Sequence, residues 1–298
     1  MSYSIGIDMG GTKIEIVVLN TNGQVVFSQR TPTPKIYSEV IQTLASLIEA
    51  AETHIGEKAT VGIAHPGVLD KQTGLIKNSN SACIGKQPLK RDIEARLNRE
   101  VRLANDANCF AISEATDGAA KGGEVVFGVI LGTGVGGGIV VNNKIIVGAN
   151  SIGGEWGHNP LPGANENEAP LPQCDCGRFG CIEAFLCGKG LTRDYTHHTQ
   201  KTLTAPKIVQ QAQTGDPGAE AALQRFERRL AQALSSVINL IDPDYIVLGG
   251  GLSNIERIYT NVPKLWIPTV FSDTIVTKLV KNLHGDSSGV RGAAWLWR

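Results

Sequence analysis

Cys174, Cys176 and Cys181 lie within a single short stretch, and with His158 they form a Cys3His donor set. That is the composition of a closed structural zinc site, which leaves no coordination position open to water. The alternative is a group of ordinary buried thiols. The stretch around them, 153–187, is rich in Pro, Asn and Cys and has almost no large apolar residues with which to build a core of its own. A metal clip would explain how it keeps one shape. Bound metal would hold Glu155 on one side of the cluster and Glu183 on the other, as part of the wall of a polar pocket.

The second chemical signal is glycine, 35 of 298 residues. These residues gather at Gly10 and Gly11, at Gly132, Gly134, Gly136, Gly137 and Gly138, and at Gly249, Gly250 and Gly251, each time beside an apolar, strand-like run. Glycine between strands lets backbone N–H groups converge on an anion with no Cβ in the way, which is how phosphates are cradled. A lone Gly-Gly reads more simply as a bulge or tight turn. Recurrence of the whole arrangement in both halves of the chain weakens that simpler reading. Gly132-x-Gly134-x-x-Gly137 matches the dinucleotide fingerprint literally, but that fingerprint needs a helix next. The residues that follow, Ile139-Val140-Val141-Asn142-Asn143, read as strand and turn, so a Rossmann site is rejected. No G-x-x-x-x-G-K-[ST] occurs, which excludes a P-loop.

The elements that must position these groups follow from periodicity. Ile5 onward, Ile14 to Leu19 and Val25 to Ser28 read as strands, joined by the Gly10–Lys13 turn and an Asn22-Gly23 hairpin signal. A helix is expected from Tyr37 to His54 with Gly56 as its stop, then a strand at Thr60 to Ile63. A second helix is marked by Leu89, Ile93 and Leu97, and a strand by Glu100 to Leu103. Asn105-Asp106-Ala107-Asn108 should lead into a helix reaching Ala115. Val125 to Leu131, the glycine loop, Ile139 to Val141 and Ile145 to Val147 repeat the opening pattern, so the chain reads as internally duplicated. The segment 153–187 reads as an ordered loop. Helices are expected over Pro217 to Ile241, Ile255 to Leu265 and Val290 to Trp297, with a strand at Tyr245 to Leu248. The domain reading is 1–118 plus 283–298 as a smaller domain and 119–282 as a larger one carrying the cysteine loop.

Composition narrows the partners. Lys+Arg and Asp+Glu number 28 each, for a formal charge of zero, which argues against nucleic acid and anionic membrane surfaces. The longest apolar run, Val125 to Val141, is broken by glycines and is too short to span a membrane. The first residues lack the basic start and apolar stretch of a secretory signal, so a cytoplasmic protein is expected, with thiols rather than disulfides.

Asp8-Met9-Gly10-Gly11-Thr12-Lys13, Leu131 to Gly138, Gly153-Gly154-Glu155-Trp156-Gly157-His158 and Cys174-x-Cys176-Gly177-x-x-Gly180-Cys181-Ile182-Glu183 resemble the motifs of the ROK (repressor, open reading frame, kinase) sugar kinases over nearly the whole chain. The resemblance implies an α/β fold of the actin-like, hexokinase-type (ribonuclease H-like) kind, with duplicated domains and an interdomain cleft. It implies that Gly10, Gly11, Thr12 and Lys13, together with Gly132, Thr133, Gly134, Gly136 and Gly137, embrace the ATP phosphates. Gly249, Gly250 and Gly251 would lie under the adenosine, and Asp8 would orient Mg2+ through water. Family members are often homodimers, which sets the same expectation here.

Phosphoryl transfer is mostly positioning and charge stabilisation, with a carboxylate to take the acceptor's proton. Asp106 is the candidate, and the resemblance gives it the proton of the sugar's primary hydroxyl. Asn105 or Asp106 could instead simply cap the following helix, and both roles can hold at once. The resemblance assigns Asn105, Asp106, Glu155, His158 and Glu183 to the sugar hydroxyls. Asn78 and Asn80 are expected to assist from the opposite lip, the plainer reading being a polar turn. His65 reads as a satisfied loop histidine, and His197 and His198 as surface residues. Lys77 to Ser81, Gly157 to Pro162 and His284 to Trp297 look closest to the bacterial fructokinase (mannokinase) branch, so a hexose kinase for fructose is expected, with mannose or glucose as weaker substrates. N-acetylglucosamine kinase is the alternative. A sugar-responsive transcriptional regulator without its own DNA-binding domain is the alternative of a different class.

Overall fold

The computed structural model describes residues 2–79, 81–164 and 168–298. The chain runs β1 (Tyr3–Met9), β2 (Lys13–Asn20), β3 (Val25–Pro32), α1 (Tyr37–Ile55), β4 (Thr60–His65), β5 (Val68–Leu69), β6 (Ile76–Lys77), α2 (Leu89–Leu97), β7 (Arg102–Asn105) and α3 (Asp106–Thr116). It continues through β8 (Val125–Leu131), β9 (Val135–Val141), β10 (Lys144–Ile145), α4 (Ile182–Leu186), α5 (Gly188–Thr199), α6 (Ala205–Gln213), α7 (Pro217–Ile241), β11 (Tyr245–Gly249), α8 (Ile258–Leu265), β12 (Lys278–Lys281) and α9 (Ser288–Trp295). Contacts divide it into one unit of Met1–Gly122, Gly138–Gly154 and Leu283–Arg298, and another of Gly123–Gly137 and Glu155–Asn282.

The first unit is built on a five-stranded sheet of order β3-β2-β1-β4-β7. The β1–β2–β3 part is antiparallel and β4 and β7 run parallel to β1. Alternation along the strands puts Ile5, Ile7, Met9, Ile14, Ile16, Val18 and Ile63 into a core shared with α1 (Val40, Leu44, Ile48) and α2 (Leu89, Ile93). This period-2 pattern against a helical stripe is what the sequence periodicity encodes. The opposite face carries α9, whose Val290, Ala294 and Trp295 cluster with Val17 and Leu19. That helix rests almost on backbone: a Cβ on Gly6 would lie 2.0 Å from the Val290 carbonyl oxygen, and one on Gly62 1.9 Å from that of Ala293. On its other side α9 meets α3, where a Cβ on Gly292 would lie 1.7 Å from the Cys109 oxygen. Glycine at these three positions allows the three-layer stack that holds α3 in place.

In the second sheet β8 pairs in parallel with β11, and β11 with β12. The full sheet order is β10-β9-β8-β11-β12, strand for strand the order of the first sheet, so the duplication read from the glycine pattern is a duplication of topology. The long helix α7 begins at Pro217, capped by Asp216 Oδ1 accepting from Ala219 N at 2.7 Å, and buries Leu223, Phe226, Leu230 and Leu234. No described helix is long and apolar enough to cross a membrane.

Several local expectations shift. β9 starts at Val135, so Gly136, Gly137 and Gly138 are strand residues rather than loop. Gly138 has a packing role, since a Cβ there would lie 2.6 Å from the Ala107 oxygen of α3. The expected Ile255 helix starts only at Ile258, after a 3-10 turn over Gly251–Asn254. The stretch 153–187 includes a 3-10 turn at Trp156–His158 and helix α4, and it is anchored by apolar residues after all. Trp156, Leu161, Ile182 and Phe185 are buried, with Trp156 edge-on to Phe127 at 5.6 Å.

Candidate active site

In the first unit, β7 delivers Asn105 and α3 starts at Asp106. Asn105 is the N-cap: its Oδ1 accepts from Asn108 N at 3.1 Å. Its Nδ2 donates to Asp106 Oδ1 at 2.9 Å, and Ala107 N donates to the same oxygen at 2.8 Å. The two residues therefore do not compete for one role; Asn105 caps, and Asp106 is oriented. Loss of surrounding water raises the Asp106 pKa, while these hydrogen bonds oppose the rise. The residue is nonetheless exposed.

Asp8, at the end of β1, is pushed up to about 6, first by burial and then by the negative charges of Asp106 and Glu15, with Lys13 acting against them. A carboxylate destabilised by its acidic neighbours is relieved by a cation, so Asp8 fits a site for Mg2+. The turn after it is tied at its base by Gly10 N donating to Lys13 O at 2.9 Å and by Thr33 Oγ1 donating to Gly10 O at 2.7 Å. The exposed N–H groups of Gly11 and Thr12 have no intrachain acceptor among the described residues. Lys13 opens β2.

His65 is not a loop histidine. It ends β4, in register with Asn105 of β7, and is fully buried. Its Nδ1 lies 3.2 Å from Pro66 O, Nε2 has no partner among the described residues, and burial lowers its pKa to about 4. Asn78 occupies an exposed turn with φ 53°, next to the backbone on which Gly67 packs. Asn80 lies outside the described residues. His197 and His198 are exposed.

In the second unit the loop Gly132–Gly134 closes through Gly132 N donating to Gly134 O at 3.0 Å. The N–H groups of Thr133 and Gly134 have no intrachain acceptor among the described residues. Glu183, in α4, lies against this loop: its Oε2 accepts from Val135 N at 2.9 Å, and a Cβ on Gly134 would lie 2.7 Å from that oxygen. Its Oε1 accepts from Cys174 Sγ at 3.2 Å. One carboxylate thus ties the glycine loop to the cysteine cluster, a link that spacing along the chain does not reveal. Trp156 donates from Nε1 to Gly136 O at 3.3 Å and pins the turn that carries Glu155 and His158.

The four candidate metal ligands are together. His158 Nδ1 lies 3.6 Å from Cys174 Sγ, Cys176 Sγ lies 3.7 Å from Cys181 Sγ, and all four donor atoms fall within 4.8 Å of one another. A zinc–sulfur bond of ~2.3 Å gives a tetrahedron with edges of ~3.8 Å, so donors and spacing fit. Arg178 Nε donates to Cys176 Sγ at 3.5 Å, and this lowers the Cys176 pKa to about 6.

Beside the glycine loop is a cavity of about 660 Å3, within the range of small-ligand sites. Gly132, Thr133 and Gly251 line one part of it, and Ala205, Pro206 and Ile255 give it apolar walls. Of the third glycine group, Gly249 ends β11 and Gly250 packs on Leu131, which leaves Gly251 at the cavity. Helices α5 and α6, which complete it, are absent from the sequence reading, although Leu191 and Tyr195 at helical spacing and Pro206 after Thr204 are the signals that would have found them.

Two mixed sheets of one topology, each opening on a glycine turn, define an α/β fold of the actin-like, hexokinase type. The chain belongs to the ROK family, whose model matches residues 4–298. It is 42% identical over 299 residues, 98% of this chain and 97% of the relative, to an N-acetyl-D-glucosamine kinase of Yersinia pseudotuberculosis. Among solved structures it is similar to a ROK hexokinase from Thermus thermophilus (TM-score 0.88, 32% identity, 99% and 97% of the two chains). It is also similar to a ROK family glucokinase from Streptomyces griseus in complex with glucose and AMPPNP (TM-score 0.75, 26% identity, 98% of each chain).

Proposed function

We propose that the protein transfers the terminal phosphoryl group of ATP to the primary, 6-hydroxyl of N-acetyl-D-glucosamine. The observation that carries the chemistry is that Asn105 caps α3 and so leaves Asp106 free to act as a base. Asp106 accepts the hydroxyl proton as the sugar oxygen attacks the terminal phosphorus. The new P–O bond forms as the bond to the bridging oxygen breaks, ADP leaves with that electron pair, and Asp106 later returns its proton to solvent. Gly11, Thr12, Thr133 and Gly134 donate backbone N–H groups to phosphate oxygens. Asp8 would help hold a magnesium ion, whose charge would offset that of the phosphates. Asn105, Glu155, His158 and Glu183 pair with the sugar hydroxyls, with Asn78 and Asn80 in a lesser role. Each buried polar group left unmatched would cost ~1 to 3 kcal/mol.

His158, Cys174, Cys176 and Cys181 would hold a structural zinc ion, which would fix the loop bearing Glu155 and Glu183. The His158 nitrogen next to Cys174 Sγ is Nδ1, so its use as the ligand would leave Nε2 for another partner.

The choice of sugar is supported by the relatives. Although three stretches of the sequence resemble the fructokinase branch, the 42% identity to an N-acetyl-D-glucosamine kinase favours the amino sugar over fructose. Sugar-dependent ADP release on a panel of N-acetylglucosamine, fructose, mannose and glucose tests it. N-acetylglucosamine should give the highest kcat/KM. A clear preference for fructose would reverse the substrate choice, and no ADP release with any hexose would point to a regulator.

A further inference from the structure

Among the described residues lining the 660 Å3 cavity, one side chain carries a charge: Lys189. It is the second residue of α5, whose first turn contains no acidic residue. A cation there meets the positive end of the helix dipole, a position that folding alone would give to Asp or Glu. The backbone under Lys189 is fixed. Gly188 N donates to Gly132 O at 2.9 Å, tying the start of α5 to the glycine loop, and Cys187 caps the helix by accepting from Gly190 N at 3.3 Å. The side chain, by contrast, is 68% exposed, and its ion-pair partner, Asp175 Oδ2, is 3.8 Å away and 86% exposed. A solvent-exposed pair at that distance is weakly held. Asp175 lies between Cys174 and Cys176, so the cysteine loop supplies the counter-charge.

We propose that Lys189 is the phosphate-binding cation of the nucleotide site, and that Asp175 holds its ammonium group when no nucleotide is bound and releases it to the polyphosphate when ATP enters. The proposal deepens the ATP-dependent reading above and rests on it. ATP keeps net negative charge even with magnesium bound, and a lysine on a flexible four-carbon stem is suited to meet it as a point charge. Asp175 competes for that ammonium. The shape of the cysteine loop is thereby coupled to nucleotide affinity, separately from any effect on the sugar.

The test uses the full-length, metal-loaded protein. KM values for ATP and for N-acetylglucosamine are measured separately, and direct titration with a fluorescent ATP analogue measures nucleotide binding without catalysis. Lys189→Met should raise KM for ATP and the analogue Kd about tenfold, with KM for sugar and the melting temperature unchanged. Lys189→Arg should restore most of the affinity. Asp175→Asn should tighten nucleotide binding ~2- to 3-fold in the wild-type background and not at all in Lys189→Met. If Lys189→Met fails to fold, Lys189→Gln takes its place. Nucleotide affinity within twofold of wild type in the Lys189 variant, or equal rises in both KM values, overturns the proposal. An Asp175→Asn gain that persists without Lys189 overturns the hand-over. A wild type that phosphorylates no hexose sinks the kinase reading instead, and the analogue titration still decides the role of Lys189.

Discussion

Asn105 donates from Nδ2 to Asp106 Oδ1 at 2.9 Å while its own Oδ1, at 3.1 Å from Asn108 N, caps α3. Capping and proton acceptance, which one carboxylate before a helix would have to combine, are split between neighbours. Asp106 is therefore replaceable without loss of the helix.

Asp106→Asn should lower kcat by ~10^2- to 10^4-fold, the usual worth of a general base. Sugar should still bind and the melting temperature should hold. Turnover near the wild-type value would remove Asp106 from the base role.

Substitution of Asn105 separates its two functions. Asn105→Ala loses the cap, at a cost of ~1 kcal/mol in stability, together with the donor that aligns Asp106. Asn105→Asp keeps a capping oxygen but places a like charge beside Asp106, which raises the Asp106 pKa and moves the acid limb of kcat/KM to higher pH. Thermal melts and pH–rate profiles of the two variants distinguish them; an unmoved acid limb in Asn105→Asp would count against the assignment.

Cys176→Ser should lose the metal and raise KM for the sugar together, because the loop bearing Glu155 and Glu183 would lose its clip. Elemental analysis of the wild type should find one zinc per chain. A metal-free variant with normal sugar KM would refute the structural role.

His65 makes a pH prediction. Its folded pKa of about 4 lies below its ordinary value of 6.5, so the unfolded chain takes the proton first. The stability it contributes is whole above pH ~6.5 and is lost as pH falls toward ~4. Asp8, at about 6 against an ordinary 3.8, acts in the opposite sense and adds stability as pH falls from ~6 to ~4. The wild type should therefore change little across that interval, whereas His65→Leu should become more stable on acidification. Denaturant titrations at pH 7, 6, 5 and 4 check this; parallel pH dependences in the two proteins would refute it.

The elements that the sequence announced are those with local causes. Gly56 in the left-handed conformation at the end of α1, the Asp216–Pro217 start of α7 and the glycine turns between strands depend on residues a few positions apart, and a linear pattern carries that information. The Cys3His set is legible for a related reason: zinc chemistry restricts the donor types strongly enough to identify them before their geometry is known.

Other features exist only once distant segments pack. Glu183 meets Val135 N, Lys189 is among the residues lining the cavity with α6 and Gly251, and His65 is buried beside Asn105. Gly138 serves α3 instead of a phosphate loop because the register of β9 presses it against Ala107. Residue types and local spacing state which groups can do chemistry, but strand register and side-chain packing, which integrate contacts over the whole chain, choose the partners that set their charge, orientation and exposure.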